Sequence, residues 1–262
     1  MKRFWAELTT RDAANLADDA VVILPVAAIE QHGPHLPLGT DLHIAEGYRA
    51  RILPLLPTAP VFFLPVQAIG ASAEHLSFAG TLSLEPETAL AAWEAICAGP
   101  IRAGVRRIIL MNTHGGNVPV IDLLARRLRQ RHGVLAVTAS MHRFGYPDGL
   151  FPAGERAHGI HGGDIETSLM LAFRPDLVDM NAAADFSPWS RDMERDFRQL
   201  RANHPVGFGW MSEDLHPSGA MGDAAAAHAE KGHAAADHGA RAFVDLLEDV
   251  RAFDLSRFSR EG

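Results

Sequence analysis

Cysteine is nearly missing from this chain of 262 residues: Cys97 is the only one. A single thiol cannot form an intramolecular disulfide, and a cysteine-rich zinc site is excluded with it. Cys97 closes the helix-like apolar stretch Leu90–Cys97 and reads as a small core residue rather than a nucleophile. No apolar run reaches the 18 or so residues that a membrane span needs. The first residues, Met1–Glu7, show no secretory leader pattern, so a cytoplasmic protein without a membrane partner is expected. Positive charge is scarce too: 24 Lys and Arg against 32 Asp and Glu leave a net charge of −8. Such a chain lacks the concentrated basic surface that holds a phosphate backbone, and no nucleic-acid partner is expected. Its densest basic stretch, Arg126–Arg131, reads as the solvated end of a helix.

What is present is ordinary globular material, 47% hydrophobic and 21% charged. A chain of this length buries a sizeable core without disulfides. No repeat, low-complexity block or linker divides it, so residues 1–262 are expected to form one domain. Short apolar runs at Val21–Val26, Val61–Val66, Arg107–Met111 and Val134–Thr138 predict buried strands. Pro25 and Pro65 stand against two of them, because proline removes a ladder donor. Amphipathic stretches at about 42–56, 86–98 and 118–131 predict helices between the strands. A further helix is predicted over Asp164–Phe173, and an Ala-rich one over Ala224–Phe253 with Gly232 and Gly239 as weak points. This alternation implies an α/β fold, a three-layer αβα sandwich around a mostly parallel sheet. Residues 180 to 222, rich in Pro, Gly and aromatics, read as a loop excursion over the active site or at a subunit contact.

Ligands of open parallel sheets gather at the carboxyl ends of the strands, and three clusters of metal-ligand residue types fall there. Glu30, His32, His35, Asp41 and His43 follow the first strand in a loop shaped by Gly33, Pro34, Pro37 and Gly39. Glu30 and His32, two apart in an extended segment, point to one side. A carboxylate and an imidazole converging on one point suit Zn²⁺, Mn²⁺ or Fe²⁺. Asp41 can be such a ligand or can cap the next helix. His114 sits in the turn Asn112–Asn117 after the third strand, either reaching the site or bonded to backbone. The third cluster is His158, His161, Asp164 and Glu166 at a helix start. There Asp164 can serve as a cap, and Glu166 can simply favour the helix dipole. His75 follows the second strand and can line the pocket. His228, His233 and His238, five apart, share no helix face and read as surface residues. His132, His142, His204 and His216 lie outside any carboxylate-rich loop and read the same way.

Together these segments resemble the creatininase family of creatinine amidohydrolases and formamide hydrolases. The resemblance runs from about Leu24 to Gly232. It rests on Leu24-Pro25-Val26 with Glu30–Asp41, His75–Thr81, Asn112–Asn117, His161–Ser168, and Ser218–Asp223 with Glu230-Lys231-Gly232. It implies a creatininase-like fold, a two-metal site and a homo-oligomer, often a hexamer. Carried over by position, Glu30, His32, Asp41 and His114 are metal ligands, with Asp41 bridging. Glu166 matches a helix-start glutamate and is the best remaining ligand, and His161 matches a histidine implicated in catalysis. The family's creatininase carries a glutamate two residues after the histidine that His114 matches, where this chain has Gly116. That enzyme also closes its pocket with tryptophans, whereas none occurs here between Trp93 and Trp189.

The resulting expectation is a metal-dependent hydrolase acting on a non-peptide C–N bond, a cyclic amide or formamide, of a small molecule. One or two divalent cations per chain, Zn, Mn or Fe, activate water and polarise the carbonyl. His161 is the acid/base, since imidazole titrates near neutral pH. Glu166 binds the second metal or orients the attacking water. Two alternatives stand: a metal-dependent isomerase or lyase, and a non-catalytic metal-binding assembly subunit.

Overall fold

The computed structural model describes residues 1–258. Four strands, β1 (Val21–Val26), β2 (Val61–Phe63), β3 (Arg107–Asn112) and β4 (Leu135–Ser140), form one sheet in the order β2-β1-β3-β4. Every pairing in it is parallel, and β1 and β3 are aligned from Val21 opposite Arg107 to Val26 opposite Asn112. Strands buried on both faces read as continuous apolar runs, which is why β1 shows no alternation and all six of its residues are buried.

The prolines act at the β2 side. In a parallel strand a residue's N and O point the same way, and the Pro25 carbonyl accepts from Gln67 N across that side. The missing donor of Pro25 therefore faces a stretch where β2 has already ended. β2 is shorter than expected for the same reason: its ladder stops at Phe63, two residues before Pro65.

Five longer helices cover the sheet: α1 (Thr40–Ile52), α2 (Pro86–Arg102), α3 (Val118–His132), α4 (Asp164–Phe173) and α5 (Ala229–Ala252). Alternate residues of the strands decide the layers. Val22, Leu24, Ile108 and Leu110 pack with Leu90, Trp93 and Cys97 of α2 and Ile121, Leu124 and Leu128 of α3. Val21, Ile23, Ile109 and Met111 pack with Ile44 and Tyr48 of α1, Leu169 and Met170 of α4, and Phe243 and Leu247 of α5. The result is the three-layer αβα sandwich. α2 outlasts its expected end and carries Pro100 inside its last turn. The glycines of α5 are packing devices: a Cβ at Gly232 would lie 1.8 Å from the Ser168 carbonyl oxygen of α4, so only glycine lets the two helices meet there. No helix of the described residues is long and apolar enough to cross a membrane.

The excursion after α4 carries short elements of its own. Asp185–Phe186 pairs antiparallel with Gly222–Asp223, and Trp189–Asp196 is helical. It is stitched onto the loops at the sheet's carboxyl end: Asp179 N donates to His35 O, and His161 pairs with Met221.

Candidate metal centre

The expected site residues arrive from three carboxyl-end connections, those after β1, β3 and β4. Glu30 and His32 lie in the loop after β1, closed by Glu30 N donating to Leu38 O. Asp41 lies in the first turn of α1, His114 in the turn between β3 and α3, His161 just before α4, and Glu166 in the first turn of α4. Folding brings them into three overlapping triads: Glu30, His32 and His161; Glu30, Asp41 and His114; His32, Asp41 and Glu166. Within each triad one ligand atom per residue lies within 4.8 Å of the others.

The hydrogen bonds fix which atoms face inward. His32 Nδ1 donates to the Glu30 carbonyl at 3.0 Å, which leaves the Nε2 lone pair directed at Asp41 and Glu166, each 3.8 Å away. His161 Nε2 donates to the Gln31 carbonyl, so Nδ1 faces Glu30 Oε1 at 3.6 Å. His114 Nε2 lies 2.9 Å from the Ala71 carbonyl, and its Nδ1 faces Asp41 Oδ2 at 3.5 Å. Backbone carbonyls that hold one ring nitrogen and free the other are the usual arrangement behind metal-ligating histidines.

Both carboxylate oxygens of Glu30, His32 Nε2 and Asp41 Oδ2 are buried without a hydrogen-bond partner. Buried polar atoms are ordinarily paired, and an unmet carboxylate costs far more than an unmet neutral group. Four such atoms aimed at one space fit a divalent cation, and the mixed carboxylate and imidazole donors suit Zn²⁺, Mn²⁺ or Fe²⁺. The protonation balance agrees. Burial would raise Glu30, but His114, His161 and His75 hold its carboxyl below the usual range. Burial would lower His114, but Glu30, Asp41 and Glu74 push its ring up to about 10. Asp41 is raised well above the ordinary value by burial and by Glu30. His32 is held well below it by burial and by His161. Without a cation the cluster must hold protons to balance its carboxylates.

Other expected residues are placed elsewhere. Asp164 makes no capping bond; its carboxylate, 1% exposed, accepts from Ser168 Oγ and from Lys231 Nζ. Asp41 makes no capping bond either, leaving the ligand reading. His35 bonds Thr167 Oγ1 and His158 bonds Ser190 Oγ, so neither joins a triad. His43 faces Glu46 at 3.9 Å. His228 and His233 are exposed, whereas His238 is half-buried and bonds the Phe144 carbonyl.

Three residues gain a place that spacing alone did not assign. His75 is buried; because Gln31 Nε2 donates to its Nδ1, its Nε2 carries the proton and lies 3.3 Å from Glu30 Oε1 without a hydrogen bond to it. Glu155 accepts from the backbone N–H groups of Asp164 and Asp223, which ties the start of α4 to the excursion. Glu74 stands beside His114, with Oε1 3.9 Å from its Nε2. The histidine of the second connection was visible as a pocket residue; Glu155 and Glu74 carried no local signal.

Beyond Glu166 the site opens into a cavity of about 490 Å³, bounded by Tyr48, Thr113, Tyr146, Arg156 and His204.

The family model for creatininase (creatinine amidohydrolase) matches residues 6–247. Creatinine amidohydrolase from Pseudomonas putida is 35% identical over 203 residues, 70% of this chain and 75% of that protein. The mycofactocin precursor peptide peptidase of Mycobacterium ulcerans is 30% identical over 247 residues, 91% of this chain and 84% of that protein. A solved structure of creatinine amidohydrolase is 28% identical with a TM-score of 0.73, covering 94% of this chain and 96% of its own. The chain belongs to the creatininase family and is one of its amidohydrolases.

Proposed function

We propose that the protein hydrolyses a non-peptide C–N bond, a cyclic amide or a formamide, of a small polar molecule, using one or two divalent cations. The observation that carries this reading is the set of unpartnered, buried atoms of Glu30, His32 and Asp41 converging on one space. Glu30, His32, Asp41, His114 and Glu166 are assigned as the ligands. Asp41 Oδ2 stands between His32 Nε2 at 3.8 Å and His114 Nδ1 at 3.5 Å, which favours a bridging role between two cations. Zn²⁺, Mn²⁺ and Fe²⁺ all suit the donors, and solved relatives include creatininases described with manganese and with a zinc pair.

A cation bound there supplies Lewis acidity, which lets water attack a carbonyl at neutral pH. The chain's own groups do the rest. His161, anchored through Nε2 to the Gln31 carbonyl, presents Nδ1 to the site, where it takes a proton from the attacking water and hands it to the departing nitrogen. Glu166 lies at the boundary between the ligand cluster and the cavity, where one oxygen accepts from Gly162 N at 2.6 Å. It either completes a cation's shell or orients the attacking water. The cavity volume suits a small molecule. Tyr48 and Tyr146 line it and, among the described residues, no tryptophan does, which argues against creatinine itself. The peptidase relative supports a second reading in which the scissile bond lies in a short peptide. Homo-oligomeric assembly, with a hexamer as the family expectation, belongs to the same proposal.

The test is a panel of cyclic amides, formamides and short peptides, assayed for ammonia, amine or formate with metal-loaded protein. Elemental analysis runs beside it. Turnover of an amide, with loss of metal and activity in His32→Ala and Asp41→Ala, is expected. A fully metallated, active His32→Ala protein would refute the ligand assignment, and no C–N cleavage across the panel would favour an isomerase or lyase.

A further inference from the structure

Position 116 leaves a gap that another residue occupies. A Cβ built on Gly116 would lie 2.3 Å from Glu74 Oε1, 2.5 Å from His114 Nε2 and 2.5 Å from the Ala71 carbonyl oxygen. No real side chain fits at that distance. The bare backbone at 116 is therefore what admits the Glu74 carboxylate to the flank of His114, where its Oε1 stands 3.9 Å from Nε2. The segment that delivers it is pinned at several points. Ala71 N donates to Asn117 Oδ1, Ser72 N donates to Ser83 Oγ, and the Glu74 carbonyl accepts from Ser212 Oγ. The next residue, His75, reaches Glu30. Glu74 is thus presented by a fixed turn, not by a loose loop. Its side chain is 21% exposed. Exposure of this degree puts it at the edge of the ligand cluster, open to the solvent from which a cation would enter.

Two further facts bear on its role. The triads that can hold a cation draw three carboxylates, Glu30, Asp41 and Glu166, and share Asp41 between two positions. With Asp41 shared, the five assigned residues give each cation about three protein donors, so at least one position of each stays open to a further ligand or water. The buried oxygens of Glu30 and Asp41 already lack partners on this side of the cluster.

We propose that Glu74 is a member of the metal centre: its carboxylate completes the shell of the second cation, in the space that Gly116 keeps clear. This rests on the metal-dependent reading above and adds to it a ligand supplied from the connection after β2. The glycine at 116 is then part of the site's construction, and no cation position is lost through it.

Cation binding itself is the readout, so activity is not needed. Metal-free protein is titrated with Mn²⁺ alone, and bound and free metal are separated by equilibrium dialysis and counted by elemental analysis. Wild type is expected to take two cations per chain. Glu74→Gln, which keeps the shape and removes the charge, is expected to hold the first with unchanged affinity and the second at least about tenfold more weakly. Glu74→Asp keeps the charge but withdraws the oxygens, and it is expected to weaken the second cation as well. Thermal unfolding of the metal-free variants at wild-type temperature shows that the fold is intact. A Glu74→Gln or Glu74→Asp protein that binds two cations as tightly as wild type overturns the proposal, as does a wild type that takes only one. A wild type that takes none overturns the metal-dependent reading itself.

Discussion

Lys231→Met is the substitution whose cost the structure specifies best. Asp164 opens α4, two residues before Glu166, and its carboxylate is 1% exposed. One oxygen accepts from Ser168 Oγ at 2.9 Å and the other from Lys231 Nζ at 2.6 Å, while Nζ also donates to the Ala226 carbonyl at 2.9 Å. Methionine keeps the length of the lysine stem and removes the ammonium, so a buried carboxylate loses the one counter-charge it contacts among the described residues. Breaking a buried pair from one side costs about 3–5 kcal/mol. At about 2–4 °C per kcal/mol for chains of roughly this size, the melting temperature falls by roughly 6–20 °C. The assay is urea and thermal unfolding of metal-free protein, so that cation binding cannot mask the loss. Asp164→Asn in the same background keeps the acceptor for Ser168 and removes the charge. The double variant should therefore be less destabilised than the two single changes summed, by about 0.5–3 kcal/mol. Strict additivity, or a Lys231→Met protein within about 0.5 kcal/mol of wild type, would refute the reasoning.

Gly232→Ala places a methyl group 1.8 Å from the Ser168 carbonyl and must push α5 away from α4. A loss of about 1–3 kcal/mol or more is expected by denaturant unfolding, and an unchanged midpoint would contradict the close approach. The ring of His114, pushed up to about 10, is protonated at pH 8 in metal-free protein. A raised folded pKa gives stability that is fully present below the ordinary value near 6.5 and lost as pH rises through about 10. Metal-free wild type should therefore lose melting temperature over that window more steeply than His114→Gln. Loading the cation at pH 8 should release at least one proton, read by calorimetry in buffers of different ionisation enthalpy; parallel pH curves and a buffer-independent heat would count against it.

Much of this protein follows from local sequence. Short continuous apolar runs read as strands buried on both faces, and their alternation with amphipathic stretches points to a parallel sheet between helix layers. The loop Glu30–Asp41 declares its chemistry because Glu30, His32 and Asp41 are close in sequence and held by shaped backbone. Ambiguities at Asp41 and Asp164 were of one kind: a carboxylate at a helix start reads as a cap or as something else. Only the absence of capping bonds, and the partners each carboxylate meets instead, separated an unpartnered ligand candidate from an ion pair with Lys231. Tertiary structure alone decided the rest. Glu74 reaches His114 across 40 positions of sequence, and Glu155 ties α4 to the excursion, through contacts that no periodicity encodes. Local sequence determines what a segment can form and which donors it carries. Which donors converge depends on how the strand ends are packed side by side, a property of the folded sheet and of no single segment.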